Sequence, residues 1–120
     1  MRMLSTLLML LVSNLVWATP TELNHAEFKA LGEKVILDVR SAEEFAEGHI
    51  PGAINMPFKQ LTDYRQQLNK LNGKPIVVYC RSGRRAGIAL DWLDQQGYGP
   101  LYHLDGDMLD WQEANLPVAK

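Results

Sequence analysis

The sequence predicts an α/β fold of three layers: a central parallel sheet with helices on both faces. Two observations carry this. The strongest strand signals, "VILDV" at 35–39 and "PIVVYC" at 75–80, are continuous apolar runs rich in β-branched residues, the pattern of strands covered on both sides. Helical stretches alternate with the strand signals through short connections, so successive strands run parallel with helical crossovers between them.

The chain opens with a leader. Arg2 supplies a positive start, "LSTLLMLLVSNLVW" an apolar stretch, and Val16-Trp17-Ala18 the small residues a signal peptidase needs, so residues 1–18 are expected to be a signal peptide cleaved after Ala18. A retained membrane anchor is the competing reading. The stretch falls short of the roughly 20 apolar residues that span a bilayer and is interrupted by Ser13 and Asn14, which favours cleavage over stable membrane insertion. Residues 19–120 then form one domain of about 100 residues, enough for one modest core.

The whole chain carries 12 Lys+Arg against 14 Asp+Glu, a formal charge of −2. The leader removes one more cation. A net acidic domain argues against nucleic acid as a partner, because phosphate binding needs a basic face.

Along the domain, "LNHAEFKAL" reads as a weak helix with Asn24 as cap, leading into the strand at 35–39. Ser41 followed three residues later by Glu44 is a capping box that starts a short helix over "AEEFAEG", closed by Gly48. Two prolines and a glycine in "HIPGAINMP" leave room for a short strand at 53–55. Leu61, Tyr64, Leu68 and Leu71 recur at three- and four-residue spacing after Phe58, predicting an amphipathic helix that ends at Asn72-Gly73. Pro75 opens the second strong strand, where its missing N–H costs least. A second amphipathic helix is predicted over 86–96, with Ala86, Ala89, Leu90 and Leu93 on one face and Gly97 as its C-terminal cap. "LYHL" is the last strand, and the tail is expected to form a short helix that packs Leu109 and Trp111 onto the body.

The single cysteine, Cys80, stands at the carboxyl end of the strand at 75–80, where open parallel sheets bind ligands. With no partner it forms no internal disulfide, no Cys-x-x-Cys redox cycle and no metal cluster. It is a small buried plug or a reactive thiol. The residues after it, Arg81, Ser82, Gly83, Arg84 and Arg85, decide for reactivity. A strand-loop-helix joint converges backbone N–H groups on one spot with the positive end of a helix behind it, and Gly83 frees the loop to curl. Such a cradle favours the thiolate, the nucleophilic form. Arg85, nearest the helix, is expected to face the cradle; Arg81 and Arg84 read equally as solvated charge or substrate contact.

"CRSGRR" resembles the active-site loop of the rhodanese sulfurtransferases, a Cys-x-x-Gly-x-Arg pattern filled by Cys80, Gly83 and Arg85. "ILDVRSAEEFAEGHIPGAINMP" is similar to that family's N-terminal signature and "GYGPLYHLDGDMLDWQEANLPV" to its C-terminal stretch, with Gly106-Asp107 where Gly-Gly is usual. With its leader and one small domain, the chain resembles the periplasmic single-domain members.

The resemblance implies a rhodanese-like fold and a cysteine that takes a sulfane sulfur from a donor such as thiosulfate, holds it as a persulfide, and passes it to a thiophile such as cyanide or a thiol. It implies no metal and no organic cofactor. A sulfur carrier that loads Cys80 and delivers to a partner protein is the alternative. Related phosphatases use Cys-x5-Arg; here four residues separate Cys80 from Arg85, a smaller loop that suits one sulfur atom. By the same analogy Asp38 and Arg40 lie near the site, Asp38 orienting loops rather than doing chemistry and Arg40 open to either role. His49 is read as structural, since a cradled thiolate needs no base, and His25 and His103 as ordinary.

Overall fold

The computed structural model describes residues 20–120. The expected signal peptide, 1–18, lies outside them. Five strands, β1 (Thr21–Leu23), β2 (Val35–Asp38), β3 (Ile54–Asn55), β4 (Ile76–Tyr79) and β5 (Leu101–Leu104), form one sheet in the order β1-β5-β4-β2-β3. Every pairing between these five strands is parallel, as predicted.

β4 lies at the centre, and its side chains alternate between two cores. Ile76, Val78 and Cys80 face one cluster with Leu37, Leu61, Leu68, Ala86, Ala89, Leu90 and Leu93. Val77 and Tyr79 face the other with Leu23, Phe28, Ile50, Leu104, Met108 and Trp111. The period of two in side-chain direction thus becomes a run buried on both faces, the reason the strand reads as continuously apolar.

Helices α1 (His25–Ala30) and α5 (Asp107–Glu113) cover the second face. The first is covered by a 3-10 segment (Phe58–Tyr64), α3 (Arg65–Asn69) and α4 (Arg84–Gln95). Helix α2 (Ala42–Glu47) follows β2, with the predicted Ser41–Glu44 capping box formed and Gly48 ending it.

Three expectations need correction. The first element is β1, paired with β5, and Leu23 belongs to it; a three-residue edge strand has no periodicity to read. Asn24 does cap α1, reciprocally with Glu27. The predicted helix from Phe58 to Leu71 is broken at Gln60, whose φ of −118° and ψ of 15° leave the helical range, so a 3-10 segment precedes α3. Its apolar spacing still turns Leu61 and Leu68 inward. In α5, Leu109 is 40% exposed, whereas Met108 and Trp111 are the buried apolar residues. Trp111 is the predicted anchor, edge-on to Phe28 at 5.4 Å and donating Nε1–H to the Pro117 carbonyl at 2.8 Å.

Leu93, fully buried behind β4, and Leu109 make a matched test. Leu93→Ala is expected to lower unfolding free energy by about 2–5 kcal/mol through lost transfer energy and a residual cavity. Leu109→Ala is expected to change it by less than about 0.5 kcal/mol, as measured by urea denaturation.

Candidate active site

Cys80 directly follows β4 and is 1% exposed. Its Sγ accepts the N–H of Gly83 at 3.0 Å and of Ala86 at 3.3 Å. Gly83 is the N-cap of α4, with φ 115° and ψ −23°, a conformation that a side chain would strain. A Cβ there would also stand 3.1 Å from Asp107 Oδ2. The helix begins at Arg84, two residues before the predicted start, so Arg84 and Arg85 belong to its first turn. Two convergent N–H donors at the positive end of a 12-residue helix make a seat for an anionic sulfur.

The far side of the loop is held by α5. The Met108 N–H donates to the Cys80 carbonyl at 3.0 Å and the Leu109 N–H to the Arg81 carbonyl at 3.1 Å. The Cys80 N–H donates to Asp107 Oδ1 at 3.0 Å. Gly106 and Asp107 have φ of 84° and 54°, so two successive left-handed residues aim these groups at the loop. That conformation explains a Gly-Gly preference at this point, and aspartate is one of the few other residues that tolerate it.

Asp107 is 1% exposed, and its carboxylate also pairs with His103 Nε2 at 3.0 and 3.2 Å. His103 Nδ1 meets Glu22 Oε1 at 2.7 Å. His103 is therefore not an ordinary surface histidine. The hydrogen bond to Asp107, against the opposing effect of burial and with help from Glu22, pushes its pKa up to about 9. His103 and Asp107 stand four residues apart, but that interval runs from a strand through a turn into a helix, where such spacing predicts no contact; the other trace in the sequence is Asp107 in the place of a glycine.

The cations near the loop are divided among different tasks. Arg40, 5% exposed, lies bidentate on the fully buried Asp38, with Nη2 to Oδ2 at 2.7 Å and Nε to Oδ1 at 3.0 Å. The same Nη2 donates to the Gly48 carbonyl at 2.7 Å, tying the end of β2 to the end of α2. Burial works to lower the Arg40 pKa, and the hydrogen bonds and charge of Asp38 more than offset it, leaving it raised. Both residues thus act as a structural pair, while Arg40 also borders the groove beside Arg81 and Met108.

Arg85 grips Glu44 on α2 with Nη1–Oε1 at 2.7 Å and Nη2–Oε2 at 3.0 Å. The predicted anion contact is therefore already paired in this structure, although it remains within electrostatic reach of Cys80. Arg81, Ser82 and Arg84 are exposed. A groove of about 700 Å³ runs past Arg84 and Arg85, bordered by Ser41, Phe58 and Lys59.

A family model described as "Rhodanese-like domain" matches residues 21–114, from β1 to the end of α5. The chain belongs to the rhodanese family. A sulfurtransferase of Allochromatium vinosum is 34% identical over 84 residues, 70% of this chain and 77% of that protein. The thiosulfate sulfurtransferase GlpE of Shewanella oneidensis is 36% identical over 80 residues, 67% of this chain and 77% of the relative. A Bacillus subtilis protein named as a sulfur carrier, YrkF, is 34% identical over 76 residues, 63% of this chain but 40% of its own length. The aligned stretch of this chain likewise spans 47% of a Synechocystis relative that is 38% identical over 86 residues. Among solved structures, a rhodanese-related protein of Thermoplasma volcanium superposes with a TM-score of 0.72 at 28% identity, covering 82% of this chain and 97% of the other.

In this rhodanese domain His49 has the structural place expected of it. Its ring stacks on Phe45 with centroids 3.6 Å apart, its Nδ1 meets the Phe45 carbonyl at 2.8 Å, and its backbone bridges to Ala119. His25 lies edge-on to Trp111 at 5.5 Å.

Two ion pairs give the rhodanese domain opposite pH limits. Glu44 is lowered from 4.5 to about 2, chiefly by the hydrogen bond from Arg85, against burial and with help from Ser41. A lowered carboxylate stabilises the fold above pH 4.5 and loses that contribution as pH falls towards 2. His103 is raised from 6.5 to about 9, so its contribution is complete below pH 6.5 and is lost as pH rises through 9. Melting temperature followed against pH is expected to drop on both sides. Glu44→Gln should flatten the acid limb alone and His103→Gln the alkaline limb alone.

Proposed function

We propose that the chain is a sulfurtransferase that carries a sulfane sulfur on Cys80. The observation that carries this reading is the Cys80 Sγ at the end of β4 with the Gly83 and Ala86 N–H groups directed at it. In the first step the thiolate attacks the outer sulfur of thiosulfate; a new S–S bond forms as the old one breaks, and sulfite leaves with the bonding pair. In the second, a thiophile such as cyanide attacks the outer sulfur of the persulfide, thiocyanate departs and the thiolate is regenerated. Each step is a displacement at sulfur with an anionic leaving group, and neither requires a proton from a side chain.

The chain's residues support both steps. The two N–H groups at the start of α4 suit the anionic form of the sulfur before and after loading. The loop cations Arg81 and Arg84, exposed at its rim, favour the approach of a dianionic donor. Arg85 keeps N–H groups beyond the two given to Glu44, available to departing sulfite at the rim. A carrier that loads Cys80 and delivers to a partner protein is the second reading, favoured by the similarity to YrkF. Residues 1–18, with Val16-Trp17-Ala18 before the cut, support export to the periplasm as the setting for either.

Thiocyanate production from thiosulfate and cyanide tests the enzyme reading. Wild type is expected to turn over many times and Cys80→Ala not at all; equal rates in the two proteins would overturn it. Intact mass after thiosulfate treatment separates the readings, since a carrier gains one sulfur atom but turns over little alone.

Arg85→Ala is expected to raise KM for thiosulfate roughly tenfold, because its motive is an anionic substrate. Losing its bidentate pair with Glu44 should also cost about 1–3 kcal/mol of stability, so KM is read at a temperature where the variant is folded. Cell fractionation followed by N-terminal sequencing tests export, with Thr19 expected as the first residue of the periplasmic form.

A further inference from the structure

Four contacts outside the sulfur cradle remain unused by the chemistry above. The buried Asp107 carboxylate accepts the Cys80 N–H, lies against Gly83, and is held from behind by His103, which in turn meets Glu22. We propose that Asp107 and His103 form a positioning pair, in which Asp107 fixes the backbone of Cys80 and the His103 imidazolium cancels the carboxylate's charge beneath a site for anionic sulfur. The charge part of this inference rests on the proposed sulfur transfer; the backbone part does not.

A carboxylate at that place has two opposed effects. Its acceptor is useful, because the Cys80 N–H would otherwise be a buried donor without a partner, at a cost comparable to a lost hydrogen bond. Its charge is harmful, because an anion buried beside the loop opposes both an anionic donor and an anionic sulfur on Cys80. His103 offsets that harm. It is half-buried, reaches both carboxylate oxygens, and is itself supported by Glu22, the more exposed and solvated member.

The ionisable groups facing His103 are Glu22 from β1 and Asp107 from α5; the joint between β4 and α4 presents Gly83 rather than a charge. Cys80 faces Asp107 through its backbone N–H. Loss of the His103 proton therefore leaves Asp107 uncompensated next to the loop. Since His103 holds its proton to about pH 9, the pair is neutral across the physiological range and the penalty falls in alkali.

The side chains can be separated experimentally. Asp107→Asn retains an oxygen acceptor for the Cys80 N–H and a residue type that accepts a positive φ, while removing the charge. His103→Gln removes the compensating cation and leaves the carboxylate. Asp107→Gly removes acceptor and charge together.

The test is kcat/KM for thiosulfate from pH 6 to 10 in wild type, Asp107→Asn, His103→Gln and the double variant, with the His103 ring titrated by NMR in the first two. Wild type is expected to lose roughly tenfold as His103 titrates, mainly through KM. Asp107→Asn should show no such alkaline loss, and His103→Gln should be low at every pH. The double variant should recover to the level of Asp107→Asn, because positions 103 and 107 then carry no charge of either sign and only the more exposed Glu22 remains. An alkaline loss that persists in Asp107→Asn, or losses that multiply in the double variant, would overturn the charge role.

If all four proteins fail to transfer sulfur, the proposed function has failed, and the backbone role is judged separately by hydrogen exchange of the Cys80 amide. Exchange faster in Asp107→Gly but unchanged in Asp107→Asn supports it, and exchange unchanged in both overturns it.

Discussion

The site depends on the attachment of the Cys80–Arg81 backbone to the first turn of α5. A sulfur can be cradled by the Gly83 and Ala86 amides only if the end of β4 and the start of α4 keep a set angle. β4 is held rigidly, being the central strand with both faces buried. The loop after it has no such support of its own. Its two carbonyls and one N–H are taken up by Met108, Leu109 and Asp107, and those groups point the right way because Gly106 and Asp107 both turn left-handed. A Cβ on Gly106 would collide with Asp110, so the turn is fixed by space as well as by torsion.

Electrostatics around the cysteine follow from how the arginines are spent. Arg40 is buried against Asp38 and Arg85 is gripped by Glu44, so neither is a free cation. What faces the sulfur is backbone dipole, which acts at hydrogen-bond distance and needs no reorganisation when charge develops there. The exposed Arg81 and Arg84 act at longer range and are screened by salt, which suits recruitment better than chemistry.

The same ion pairs connect the separate segments that surround the loop. Arg40 joins the end of β2 to the Gly48 carbonyl that closes α2. Glu44 caps α2 through Ser41 while holding Arg85 at the start of α4. A capping box that is ordinarily a local device therefore also sets the distance between two helices beside the site. Tyr79 adds to this frame: its hydroxyl accepts the Ile50 N–H at 3.0 Å, and burial, together with the charge of Asp38, pushes its pKa up, so it stays neutral.

By itself the sequence determined the parts whose physics is local. Continuous β-branched runs made β2 and β4 legible, the Ser41–Glu44 spacing made the start of α2 legible, and Gly83 after Cys80 at a strand's end made the cradle legible. Each rests on residues within a few positions of one another. β1 escaped because three residues carry no period, and the break at Gln60 escaped because the apolar spacing survives a 3-10 turn. Only the tertiary structure decided the partners. Arg85 finds Glu44 across 41 residues, Cys80 finds Asp107 across 27, and His103 finds Glu22 across 81. No spacing rule links such positions. The parallel sheet brings β1, β4 and β5 side by side and carries their carboxyl ends to one edge, and at that edge an unremarkable histidine and an aspartate in a glycine's place become support for the cysteine.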